Sequence, residues 1–396
     1  MSDRANTARP GRRAAAASYF AVLGCAFFCY AALGSVLRIL PGYVPSHLGL
    51  GAVAIGVAVG APALSAIFTR PLGGRLADRH GPLPILMVGA AVMALGAPLA
   101  LVEQPAPLIA SRLIVGAGEG LMMSATALWL LRLGGRDRRG RSIGHVGLAN
   151  YAGLVAGPLL AVAIGGEAHP ERVFLAGIVL PLLGAGAVLL ARPGEAGPAA
   201  AEEGRAAVRQ VLAWTARPGL GLMMVNVGYA AVISFGGAAI AANGAGAASL
   251  VVPVFAAVVI LVRGAGGSVP DRAGPERTLL AACPLAAAGL VGVGLLASTP
   301  LAITSVVALA AGQALAVPAL GAIALRSAPP SQHGATAGLF FAWFDAGVGL
   351  GGPLAGVAAG LTDPGGALLT AAVLVASAPL LAGVLALRLP RVLPTP

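Results

Sequence analysis

The sequence predicts an all-α membrane protein: twelve transmembrane helices in two pseudo-symmetric six-helix halves. Three observations carry that prediction. Of 396 residues, 58% are hydrophobic and only 10% are charged, with a mean hydropathy of +0.90, a composition outside the range of soluble chains. Apolar runs of about 20 residues, the length that crosses a bilayer's hydrocarbon core, recur twelve times. A charged segment of the first half is also written again in the second.

The first run opens near Ala16, after the charged head MSDRANTARPGRR. It continues to about Leu40 with no convincing cleavage site, so it reads as a retained span rather than a signal peptide. The second and third runs open near Leu48 and Leu83, and TRPLGGRLADRHGP, from Thr69 to Pro82, reads as the loop that joins them. Runs four to six open near Pro107, Ser142 and Arg172. RPGEAGPAAAEEGRAAVRQ follows, polar and rich in Pro, Gly and Glu, and reads as a linker whose EEGRAAVRQVLAW end suits a short amphipathic surface helix. The expected division is a first half at 1–192, a cytoplasmic linker at 193–216 and a second half at 217–396. The remaining runs open near Gly219, Ala245, Arg277, Pro300, Ala335 and Gly366. Between the seventh and eighth, SFGGAAIAANGAGAASL is too rich in Gly and Ala to fix an end.

All 25 basic residues are arginine, and the net charge is +11. With both termini placed in the cytoplasm, twenty-two arginines fall on the inner side, only Arg38 and Arg172 fall outside, and Arg112 lies within a span. This is the positive-inside pattern, and it removes the need for a nucleic-acid partner. Cys25, Cys29 and Cys283 lie in apolar runs without metal-ligand spacing, and no P-loop motif appears. His47, His80, His145, His169 and His333 sit at or near loops, so no metal pair or Ser-His-Asp constellation converges in the core, and an enzyme is not expected. No cofactor is expected either. The surplus of Ala, Gly, Arg and Pro suggests a GC-rich bacterial genome and an inner-membrane location.

RPLGGRLADRHGP aligns without gaps on RGAGGSVPDRAGP at an offset of 193. Arg70, Gly73, Gly74, Asp78, Arg79, Gly81 and Pro82 answer to Arg263, Gly266, Gly267, Asp271, Arg272, Gly274 and Pro275. Weaker echoes pair Glu119 with Gln313 and Asn150 with Asp345, so each half keeps one titratable member. Polar side chains in lipid need a partner or a watery cavity. They concentrate on helix 1 (Tyr30, Arg38), helix 4 (Arg112, Glu119), helix 5 (Asn150, Tyr151), helix 7 (Asn226, Tyr229), helix 10 (Gln313) and helix 11 (Asp345). Helices 3, 6, 9 and 12 are almost wholly apolar and are expected to face lipid. In the charged segment, Gly73 and Gly74 let a neighbouring helix approach, while Asp78 is placed to accept bonds from arginines or a helix N-terminus. Arg75 reads as a solvated topology marker.

The twelve spans, the repeat, the linker and RPLGGRLADRHG together resemble the major facilitator superfamily of secondary transporters, over essentially the whole chain. The resemblance implies two halves rocking about a central site. It also implies a cytoplasmic gate formed by Arg70, Gly74, Asp78, Arg79 and Gly81 with the repeat mates Asp271 and Arg272. Pro82 stands where the family often has a basic residue. RLIVGAGEG resembles the family's helix 4, in which the residue at Arg112 is linked to proton coupling. GLVAGPL resembles the helix 5 motif of proton-driven exporters, with Gly153, Gly157 and Pro158 at its positions, although close helix packing explains the same residues.

A charge at the depth of Glu119 costs about 2.5 to 3.5 kcal/mol on insertion scales, so something must offset it. Arg112 and Glu119 share a helix face about two turns apart and cannot pair directly. The expected proton-coupling residues are Glu119, Arg112 and Asp345. Tyr30, Arg38, Asn150, Tyr151, Asn226, Tyr229 and Gln313 are expected to line a substrate cavity. Asp345 also suits a cationic substrate, and a permanent internal ion pair is the structural alternative for either carboxylate. The leading expectation is a monomeric, proton-coupled exporter of small amphipathic compounds. An uptake symporter and a non-transporting receptor or scaffold of the same fold are the alternatives. Few hydrogen-bonding side chains and no basic cluster argue against polar nutrients.

Overall fold

The computed structural model describes residues 12–134, 139–191, 208–246, 248–266, 269–329 and 332–384. Residues 193–207 of the predicted linker, including much of its proposed surface helix, lie outside these. Among the described residues, twelve helices are long and apolar enough to cross a membrane, and there is no strand. They are α1 (Arg12–Leu48), α2 (Ala52–His80), α3 (Pro82–Gly96, continued as a 3-10 turn over Ala97–Leu101), α4 (Pro105–Gly134), α5 (Arg139–Ala163) and α6 (Pro170–Leu190). The second six are α7 (Val208–Ala242), α8 (Val251–Gly266), α9 (Pro275–Leu295), α10 (Thr299–Arg326), α11 (His333–Leu361) and α12 (Pro364–Leu381).

Boundaries differ from the sequence reading at α1, which runs on to Leu48 rather than ending near Leu40, and more consequentially at α2 and α7. The segment expected to be a loop after helix 2 is helical through His80, and only Gly81 turns. Gly73 explains why the segment stays in the bundle. A Cβ there would lie 2.9 Å from Leu121 Cα, so α2 and α4 pack backbone to backbone, whereas Gly74 faces open space. The seventh helix is already formed at Val208, the first described residue after the linker, well before the expected Gly219, and 208–218 is amphipathic: Val211, Thr215 and Pro218 are buried while Arg209 and Arg217 interrupt the apolar run. At its other end α7 passes through a π-helical stretch at Val232–Gly236, and the chain turns at Gly244 with φ +80°.

The repeat is structural. Gly81 and Gly274 adopt φ +86° and +87°, a left-handed conformation that favours glycine, and each is followed by a proline at the start of the next helix. Helices α3, α6, α9 and α12 make their substantial contacts within their own half. They carry exposed apolar side chains such as Leu95, Val179, Leu285 and Val373, as lipid contact requires.

The hydrophobic core is divided unequally. One cluster runs across both halves at the face away from the chain ends, joining Ile39, Val44 and Ile55 to Phe235, Val252 and Ala355. At the face that carries the chain ends, each half has its own core, around Leu86 and Trp129 in the first and Leu279 and Phe340 in the second. The halves are therefore sealed together at one face and separate at the other. The seal depends on glycine. Gly56 and Gly60 of α2 lie directly against the backbone of Gly352 and Gly349 of α11, where an added Cβ has no room.

Gly56→Val is expected to force this seal apart. Overpacking costs about 1–3 kcal/mol, which is about a 5- to 150-fold shift between two conformations. A cysteine introduced at Val44, which is fully buried in the shared core, should gain maleimide reactivity by that factor in the Gly56→Val background.

Candidate functional site

Where the shared core ends, one arginine ties the halves together. Arg70 lies about three turns before the end of α2 and turns its guanidinium into the bundle. Its Nη2 donates to Glu119 Oε1 at 3.0 Å and Oε2 at 3.3 Å, and to Asp345 Oδ1 at 3.1 Å. Its Nε lies 2.6 Å from Asp345 Oδ2, within ion-pair range though not aligned for a hydrogen bond. The Tyr30 hydroxyl, from α1, donates to Glu119 Oε1 at 2.5 Å. The side chains of Arg70, Glu119 and Asp345 are 18%, 7% and 4% exposed.

Local structure places each member. Gly120 and Gly73 bring α2 and α4 close enough for Arg70 to reach Glu119, and Asp345 stands one turn from Gly349, the last glycine of the α2–α11 seal. Glu119 belongs to the first half and Asp345 to the second, so Arg70 is bonded across the divide. With both carboxylates ionised the trio carries a net charge of −1, and a single proton brings it to zero. A group that binds one proton also changes the bonds between the halves, and this is the chemistry the arrangement offers.

Arg70, expected in the cytoplasmic gate, thus lies among the interior carboxylates. Arg112 is elsewhere. It is 2% exposed, its Nε donates to the Ala58 carbonyl at 3.2 Å, and it makes no carboxylate contact among the described residues. A void of about 20 Å³ beside it, lined also by Ser111 and Phe174, has room for about one water. Arg38, expected in the cavity, instead pairs with Glu167 at 2.8 Å near the surface, the two being 23% and 51% exposed. It lies level with Ile39 and Leu40 of the shared core, on a side of α1 that faces Glu167 rather than the interior. Exposed ion pairs contribute about 0–1 kcal/mol, so Arg38→Ala should leave transport intact and shift thermal unfolding by a few degrees at most. Loss of transport would put Arg38 in the substrate path.

The other expected cavity residues form a second polar group. The Asn226 side chain donates to the Leu222 carbonyl at 2.8 Å and accepts from Gln313 Nε2 at 3.4 Å. Asn150 Nδ2 reaches the Met123 sulfur at 3.4 Å. Tyr229 packs on Phe255 with ring centres 5.4 Å apart, and Tyr151 lies under the Arg263 guanidinium at 4.6 Å. In the gate segment, Asp78 faces Arg132 of α4 at 3.5 Å, a contact inside the first half. Arg79, Asp271 and Arg272 are exposed, as expected at a face where the halves are apart. Gly153 and Gly157 seat α5 on the backbone of α1 at Phe27 and Ala31, and Pro158 lies against Gly34.

Sequence reasoning missed two residues, Arg70 as the interior cation and Arg263 on Tyr151. Both were read as inner-side arginines. The available signal was charge balance: among the described residues Glu119 and Asp345 are the only acidic residues in the middle of spans, and Arg112 is out of reach of Glu119.

Comparison with known proteins places this geometry. The family model described as Major Facilitator Superfamily matches residues 22–352. An uncharacterized MFS-type transporter of Burkholderia mallei (strain SAVP1) is 32% identical over 348 residues, covering 86% of this chain and 84% of the relative. Among solved structures, a point variant of the nucleoside transporter NupG superposes with a TM-score of 0.78 at 14% identity, covering 94% of this chain and 100% of the other. A bacterial homolog of the human lysosomal transporter Spinster, inward-facing and occupied, gives a TM-score of 0.70 at 15% identity over 95% and 97%.

Proposed function

This chain belongs to the Major Facilitator Superfamily, and we propose that it is a proton-coupled exporter of small amphipathic organic compounds, working as a monomer in a bacterial inner membrane. It is a multi-pass membrane protein, and transporters of this family carry small-molecule substrates across the membrane. In the proposal both termini are cytoplasmic, as the arginine bias favours, so the sealed face is periplasmic and the open face is cytoplasmic.

The observation that carries the reading is Arg70 bonded at once to Glu119 and to Asp345 of the other half. In this cytoplasm-facing arrangement both carboxylates hold the arginine. A proton taken up from the periplasmic side neutralises one of them and weakens the bond between the halves. Release of that proton to the cytoplasm restores it. Substrate leaves by the opposite route as the halves rock. The outward direction is supported by the resemblance of Gly153, Gly157 and Pro158 to the exporter motif, and the apolar interior suits compounds with a hydrophobic body.

The test is accumulation of a panel of amphipathic compounds in cells lacking their own exporters, with and without a protonophore. The proposal expects wild-type cells to exclude at least one compound and the protonophore to abolish the exclusion. Raised accumulation in wild-type cells would reverse the direction, and exclusion insensitive to the protonophore would remove the proton.

A further inference from the structure

The repeat that relates the glycine turns also relates the Arg70 cluster to a second set of residues. Arg70 answers to Arg263, Glu119 to Gln313 and Asp345 to Asn150. Arg70 in α2 meets one partner in α4 of its own half and one in α11 of the other. Its counterpart in α8 packs beside α10 of its own half and α5 of the other, which carry Gln313 and Asn150. The helices that carry the two sets correspond, but in the second set no bond joins the three side chains, Asn150 reaching Met123 and Gln313 reaching Asn226, and the charge is opposite. The first has two carboxylates and a net charge of −1; the second has two amides and a net charge of +1.

The second set is unsatisfied. Among the described residues Arg263 makes no ion pair and no hydrogen bond, and its Nε is buried without an acceptor. Its one close partner is the Tyr151 ring. Asn150 and Gln313 are 6% and 2% exposed, and the amide oxygen of each is buried without a donor. Their amide nitrogens have only the Met123 sulfur and Asn226, both at 3.4 Å. Because the O and N of an amide exchange by a flip, either side chain can present an N–H inward. Buried polar groups left in this state call for a partner, and water, an ion or a bound ligand can supply it.

We propose that Arg263, Asn150 and Gln313 bind the carboxylate of a transported organic monocarboxylate. The substrate's anion takes the role in the second set that Glu119 and Asp345 have in the first. A guanidinium matches a carboxylate with two parallel N–H bonds, and the amides supply further donors. A single cation sets the charge at one. Arg70 is held by its own carboxylates and Arg112 is enclosed against α2, so a phosphate dianion finds no second arginine. Tyr151 and Tyr229, partly buried at the edge of the shared core, give the organic body an aromatic surface. The inference rests on the transporter reading above and not on its proton.

The probes are 1-naphthoate, its neutral amide and 1-naphthyl phosphate, with binding to the purified full-length protein measured by equilibrium dialysis. The wild type should bind 1-naphthoate about tenfold or more tighter than the amide or the phosphate. Arg263→Gln should bring 1-naphthoate down to the level of the amide without changing binding of the amide itself, and Arg263→Lys should keep part of the preference. Equal affinity of the wild type for acid and amide, including no binding of either, overturns the proposal. So does an undiminished preference in Arg263→Gln, which would make Arg263 a charge reaching for the membrane surface. If Arg263→Gln does not fold, the Lys variant together with Asn150→Leu decides: loss of the preference in Asn150→Leu supports the site, and full retention in both overturns it. No gradient is present in this assay, so its failure leaves the coupling proposal standing. Loss of proton drive with the preference intact would remove coupling alone.

Discussion

Arg70→Gln should abolish transport and destabilise the protein more than any other single change at the site. It leaves Glu119 and Asp345 buried with no cation, a net charge of −2 where the wild type carries −1. Removing one partner of a buried ion pair costs about 3–5 kcal/mol, so membrane levels should fall and thermal unfolding of the purified protein should drop sharply. The prediction has an internal control. Adding Glu119→Gln and Asp345→Asn to Arg70→Gln brings the buried charge to zero, so the triple variant should recover most of the lost stability while remaining inactive. Recovery of transport in the triple variant would show that the trio serves folding and nothing more.

The second large effect is the separation of driving force from movement. Glu119→Gln or Asp345→Asn alone leaves Arg70 with one permanent carboxylate and the trio at zero charge, the state that a proton produces in the wild type. Neither variant should exchange a proton, so neither should sustain a gradient of substrate, whereas substrate-for-substrate exchange should persist. One charge moving through about 100 mV is worth about 2.3 kcal/mol, which is about a 50-fold concentration ratio, and that ratio should collapse towards one. The two variants should also differ. Asp345→Asn removes the bond between the halves, whereas Glu119→Gln removes one within the first half and frees Tyr30 as well. The double variant strands Arg70 at +1 and should lose exchange too. Gradient and exchange, both followed with labelled substrate in reconstituted vesicles, separate these outcomes.

The helices and the repeat were legible because lipid imposes them: backbone amides at membrane depth must pair within a helix, so long apolar runs carry the spans. Gly81 and Gly274 were legible as a repeated motif, and their positive φ gives the reason. Less visible was where a helix stops near the membrane surface. Pro71, Gly73 and Gly74 punctuate the sequence like a loop, yet the close approach of α4 at Leu121 keeps that segment helical and carries Arg70 inward. The same error hid the site. An arginine near a helix end satisfies the positive-inside rule whether it points to water or to the core, and only three-dimensional placement separates Arg70 from Arg75. Glu119, Asp345 and Tyr30 were legible as polar groups at membrane depth, but the single arginine joining them was not. Arg38 failed in the opposite sense, because Glu167 in the turn between α5 and α6 offers it a partner at the surface.

That a proton on Glu119 or Asp345 changes the relation between the halves is the central expectation. It is tested without knowledge of the substrate by spin labels at His80 of α2 and Ser327 after α10, both exposed at the face where the halves are apart. The three native cysteines are buried, so labelling is selective. Inter-label distances from pulsed dipolar spectroscopy are compared at about pH 4 and about pH 8, at and well above the ordinary Asp and Glu pKa values of about 4. Deprotonation restores the bonds to Arg70, so the account predicts the separated arrangement at the higher pH and a growing population of short distances at the lower. The double variant Glu119→Gln, Asp345→Asn should give one distribution at both. A shift of the same size in that variant, or none in the wild type, would contradict it.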